Sequence, residues 1–264
     1  MKEVARDTWW GRFSLPIGGR GVWHVGPMRL SLSRGRHEWS IEYLEKQEPR
    51  NASFVQCPAT SFPDGPGLVR HRYAFTEAPE SVWIRPVLAD RSVVVYPENP
   101  FHITAGESIT LFCSTPLWVR IEVGDHRLVL LEVPIERPAD TWFGHSTREG
   151  ELCYATETAA RLEREDLARH PHRAITELSI RNGVSNTLDL ERVNLAVRYL
   201  SVYAHPAGGL WTEAVTLDRT SSATIGKLGI GNPPAGSDIE QLTPPRTPPT
   251  DDGVLVRAFS ALFD

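Results

Sequence analysis

Two imidazoles separated by one proline, His170-Pro171-His172, are the most metal-like local feature of the chain. On an extended segment, residues two apart point to the same side, so both rings could share one ion. A zinc-type site needs a third and usually a fourth ligand. No nearby Cys, Asp or Glu stands at a diagnostic spacing, so Glu165, Asp166, His145 or His205 would have to converge through the fold. A solvated loop leading into the apolar run from Ala174 accounts for the same residues without a metal. The expectation is therefore no metal, with His170 and His172 as the pair that would hold one.

The stretch from Asp140 to Cys153 gathers an acid, the aromatic pair Trp142-Phe143, Gly144, His145 and a thiol. A thiol beside an imidazole is the minimum for a cysteine nucleophile. Leu152-Cys153-Tyr154-Ala155 nevertheless reads as an apolar strand, where a buried, unreactive thiol is commoner. Trp142 and Phe143 read as a hydrophobic plug at a domain junction, with Gly144 permitting a turn. Acidic pairs such as Glu163 with Glu165, and Asp251 with Asp252, lie on polar segments and read as solvated surface. Gly229-Ile230-Gly231-Asn232 lacks the third glycine and following helix of a dinucleotide loop, and neither a Walker-type loop nor Gly-x-Ser-x-Gly occurs. No catalytic residue and no cofactor is expected.

The elements that must position these residues are strands. Met28, Leu30 and Leu32 alternate with polar residues, as do Trp39, Ile41 and Tyr43 after the turn around Gly35, which predicts a hairpin. Strand signals are dense at 82–84, 93–96, 109–113, 117–123 and 128–133, separated by turn-formers such as Pro97-Glu98-Asn99-Pro100 and Gly124-Asp125. After a break at 134–150 they resume at 152–156, 174–180, 188–193, 200–203, 211–217 and 225–230, with a helix-compatible stretch of one or two turns within 158–170. Short strands without intervening helices indicate sandwich or barrel architecture. We expect a mainly all-β chain of two antiparallel β-sandwich-like domains, 1–135 and 136–230. A proline-rich linker, 231–253, poorly able to join a sheet, then leads to an amphipathic helix at 254–264. Leu255, Ala258, Phe259, Leu262 and Phe263 fall on one face of that helix, and Leu255, Phe259, Leu262 and Phe263 with Trp142 and Phe143 make up the expected interface residues.

A length of 264 residues suits two domains, and 41% hydrophobic with 23% charged residues supports a real core. A net charge of -5 does not concentrate phosphates, so nucleic acid is not an expected partner. Cys57, Cys113 and Cys153 form no C-x-x-C pair and read as reduced thiols. The charged start of the chain leaves no room for a secretory signal, and no stretch reaches the roughly 18 apolar residues of a membrane span, so a cytoplasmic protein without membrane insertion is expected.

The second half resembles a family of uncharacterised bacterial and archaeal proteins, domain of unknown function 432. The resemblance rests on Asp140-Thr141-Trp142-Phe143-Gly144, on Gly150-Glu151-Leu152-Cys153-Tyr154-Ala155, and on Leu190-Glu191-Arg192-Val193-Asn194-Leu195. It continues through Leu200-Ser201-Val202-Tyr203-Ala204 and Leu210-Trp211-Thr212, spanning about 82–230. It carries over no activity and no catalytic residues. Genes of similar proteins sometimes neighbour small-conductance mechanosensitive channels, which implies a protein partner of that kind. The leading expectation is a non-enzymatic interaction or accessory module that binds a protein or itself. The alternative is a metal-binding protein or hydrolase-like enzyme using His170/His172 or the Asp140 to Cys153 segment.

Overall fold

Alternating apolar and polar residues become paired strands wherever a turn-former lets the chain double back. The computed structural model describes residues 8–44, 53–144, 148–158, 160–206, 208–220, 225–249 and 254–259. Among them the regular structure is strand throughout, apart from two 3₁₀ turns, Arg164–Asp166 and Val197–Tyr199. The fold is all-β, with several antiparallel sheets and one curled half-barrel sheet. The first of those turns is the only helical turn among the described residues of the helix-compatible stretch.

The residues fall into two compact units, each gathered from separate stretches of chain. The first comprises residues up to Val87, Leu117–Arg137 and His170–His172; the second comprises Leu88–Pro116, Pro138–Arg169 and the chain from Arg173 on. The chain therefore passes between the units several times, always between strands.

In the first unit a five-stranded antiparallel sheet runs in the order Ser53–Gln56, Arg20–Val25, Met28–Arg34, Glu38–Leu44, Leu68–Ala74. The predicted hairpin is its centre, with Leu30 opposite Tyr43 and Leu32 opposite Ile41. A four-stranded sheet runs Gly11–Ser14, Ser81–Val87, Trp118–Val123, Leu128–Pro134. Val119 and Ile121 are buried while Trp118 and Arg120 are half-buried, as alternation requires, but Glu122 departs from it and is buried too. Phe13 of the second sheet meets Trp23 of the first edge-on at 5.0 Å, and Trp39 Nε1 donates to Pro79 O at 3.0 Å. The unit also buries a carboxylate. Glu42 accepts from Arg20 at 2.7 Å and from Arg70 at 2.6 Å, and Arg20 also donates to Ser31 Oγ. Burial alone would raise the Glu42 carboxyl, but hydrogen bonds and charge from the two guanidiniums outweigh it and hold it below the usual carboxylate range.

The second unit is organised around Arg173–Asn182. Ser108–Pro116 pairs with it antiparallel along its whole length. Leu210–Trp211 and Val215–Arg219 run parallel to it, pairing with its two halves. A second sheet has the order Ala139–Gly144, Gly150–Ala155, Val93–Val95, Val193–Leu195.

The end of the chain departs from the expected helix. Val254–Arg257 is a strand, antiparallel to Ile225–Ile230. Leu255 is 73% exposed while Val256, Ala258 and Phe259 are buried, so Leu255 and Phe259 do not share a face. A helix this short has little stability of its own, whereas Val254-Leu255-Val256 satisfies its backbone groups against an otherwise open sheet edge. Leu262 and Phe263 lie outside the described residues. The proline-rich segment also differs from expectation, because its proline-free Glu240–Thr243 pairs with Val202–Ala204.

Candidate functional site

The hairpin Ala139–Gly144/Gly150–Ala155 sets the two aromatics on opposite faces. Strand periodicity sends Phe143 inward, where it is fully buried in a cluster with Val94 and Cys153. Trp142 points outward directly opposite Leu152, and the two are 43% and 44% exposed. The indole lies over Gly150, where a Cβ would run into it. The pair Trp142-Phe143 is thus one core residue and one surface residue, which corrects the reading of both as a plug. Beside them Arg91 bonds Asp140 at 3.0 Å and lies over the Tyr154 ring, whose hydroxyl donates to Asp90 at 3.0 Å. Ala139–Gly144 is the outermost strand of its sheet.

Cys153 is not poised for chemistry. Its thiol is fully buried and directed at Glu151 O and Asn194 Oδ1, both at 3.5 Å. Burial, reinforced by the Glu151 charge, pushes it up to about 12. The thiolate is the reactive form, so this sulfur is inert near neutral pH. His145 lies outside the described residues. Asn194 itself is buried and donates to Glu151 Oε2 and to Arg257 O, tying the C-terminal strand to this sheet.

His170 and His172 are close, with ring centroids 5.5 Å apart. Only His172 is buried, packed on Gly26, where a Cβ would collide with the imidazole, and its Nε2 stands 3.9 Å from Glu136 Oε2. The adjoining Pro171 O accepts from Trp9 Nε1 at 2.8 Å. The segment is therefore built into the first unit, not a solvated loop. Glu165, Asp166 and His205 belong to the second unit. Among the described residues no group of three or more His, Cys, Asp or Glu side chains is placed to hold a metal.

A cleft of about 500 Å³ opens in the second unit. Trp211 and Phe112 pack with Leu167 and Ile175 beneath it, and Glu177 stands opposite Phe112 across paired strands. The 3₁₀ turn brings Arg164 over the Trp211 ring, 5.8 Å from its centroid. Pro233 and Pro234 form a wall, tethered where His205 Nε2 meets Ala235 O at 3.2 Å. Sequence reasoning missed this cleft, because its residues come from six separated stretches without a common motif. The one available signal was Glu177, a charge alternating with buried Thr176 and Leu178 in a strand.

No curated protein and no solved structure is detectably similar to the chain. A family model does match, over residues 9–264, far beyond the central stretch that carried the resemblance. With nearly its whole length covered, the chain belongs to the DUF432 family, described as protein of unknown function.

Proposed function

We propose that this chain is a non-enzymatic interaction module that presents the outer face of the 139–155 hairpin to a protein partner. The observation that carries this is the exposed cross-strand pair Trp142–Leu152 at the edge of a sheet. Large aromatics at the centre of a contact supply much of the energy of protein association, and an outermost strand offers backbone groups for pairing. The inert setting of Cys153 favours this reading over the hydrolase alternative. On the same reading each unit is a β-sandwich-like scaffold, supported in the first by the packing of Phe13 on Trp23. The neighbourhood implied by the family resemblance makes a mechanosensitive channel system the first partner to try, with the module on its cytoplasmic side.

The test is affinity capture by the full chain covalently attached to a resin, comparing wild type with Trp142→Ala and Leu152→Ser at matched folding. A partner held by wild type and lost from both variants supports the proposal. Equal capture by all three overturns the assignment of the face.

A further inference from the structure

We infer that the cleft of the second unit binds an organic cation, an ammonium or guanidinium carried on an alkyl stem. Three carboxylates border it, Glu163, Glu165 and Glu177, against the single guanidinium of Arg164. Arg164 is already committed, since it bonds Glu165 at 3.2 Å. Glu163 and Glu177 are exposed and make no ion pair among the described residues, so the lining keeps an unbalanced negative charge.

The floor supplies the second half of the recognition. Trp211 is only 8% exposed, yet it borders the cleft. A tryptophan face is the best aromatic surface for a cation, and Arg164 above it shows that a guanidinium fits there. Phe112 and the Pro233-Pro234 wall offer apolar surface for a methylene stem. An anionic ligand would meet the uncompensated carboxylates of Glu163 and Glu177, and a neutral apolar one would leave them unused. Displacement or sharing of Arg164 by an incoming cation would exchange one cation–π contact for another while satisfying Glu163 and Glu177. The site is independent of the 139–155 face, so either proposal can fail alone.

The experiment is calorimetric titration of the full chain with pentylamine, with 1-pentanol as the neutral match of the same stem, and with lysine blocked at both backbone ends. Pentylamine is expected to bind in the millimolar range or tighter and 1-pentanol not at all. Glu177→Gln, an exposed change that leaves packing intact, is expected to weaken the amine about fivefold, the scale of one exposed charge contact. Trp211→Phe keeps a ring in the core and is expected to weaken it similarly. Binding of blocked lysine as well identifies a basic protein side chain as the source of the cation, whereas binding of pentylamine alone identifies a free amine. No heat from either amine up to 20-fold above about 1 mM, equal binding of the alcohol, or unchanged affinity in folded Glu177→Gln would each overturn the inference.

Discussion

Truncating Phe259 to alanine distinguishes the strand at the end of the chain from a helix more sharply than any other change. Phe259 is 1% exposed and forms an isolated bridge with Val193, while a Cβ on Gly226 would stand 2.9 Å from its ring. Removing a buried phenylalanine from such a site costs about 3 to 5 kcal/mol, and partial collapse near a chain end favours the lower value. Leu255, 73% exposed, has little burial to lose, so Leu255→Ala should cost under about 0.5 kcal/mol. On a helical stripe the two residues would share a face and both would matter. Urea unfolding followed by circular dichroism, with the slope checked for constancy, measures both changes. Costs for Leu255→Ala and Phe259→Ala that agree within about 0.5 kcal/mol would refute the strand's division of inner and outer residues.

Trp142→Ala should cost about 1 to 2 kcal/mol in the same assay, since roughly half the side chain is already in water, whereas Phe143→Ala should cost about 3 to 5 kcal/mol. The Glu42 carboxyl, held low when folded, contributes stability that is present above its ordinary value of 4.5 and lost as pH falls through the lower folded value. Unfolding midpoints from pH 7 to 3 should therefore show an acid loss that Glu42→Gln flattens, the variant itself being less stable at pH 7 by about 1 to 3 kcal/mol, a range that allows for the solvated position of Arg70. Thiol alkylation of the native protein at pH 7.5, read by mass spectrometry, should label half-buried Cys57 and spare buried Cys113 and Cys153, with burial pushing both of the latter up to about 12. Unfolding in urea should expose all three.

The parts of the fold legible in the sequence are those decided locally. The hairpin through Met28–Arg34 and Glu38–Leu44 needs only alternation and a turn, and both lie within one short stretch. The parallel pairing of Arg173–Asn182 with Val215–Arg219 is set by contacts far apart in sequence, to which periodicity is blind. At the C-terminus, Leu255, Ala258 and Phe259 satisfy a helical stripe as written, and only the open edge of Ile225–Ile230 makes strand the better outcome. The same limit applies to the candidate sites. Trp142 and Phe143 were visible as residues of interest, but which of them faces solvent depends on Val94 and Cys153 packing under one side. His172 looked solvated because its burial comes from Gly26, far away in the chain. The cation cleft draws on Phe112, Glu177 and Trp211, which meet only after the central sheet has formed.

The central claim is that a protein partner binds the outer face of the 139–155 hairpin, and position-resolved photo-crosslinking tests it most directly. A photoreactive residue would be placed in turn at Trp142, at Leu152, and at the exposed control positions Leu255 and Ile17 in protein expressed at native level. The account predicts one discrete adduct, shared by positions 142 and 152 and absent from both controls. Adducts of equal yield at the controls, or none at 142 and 152 while another position captures a partner, would contradict it.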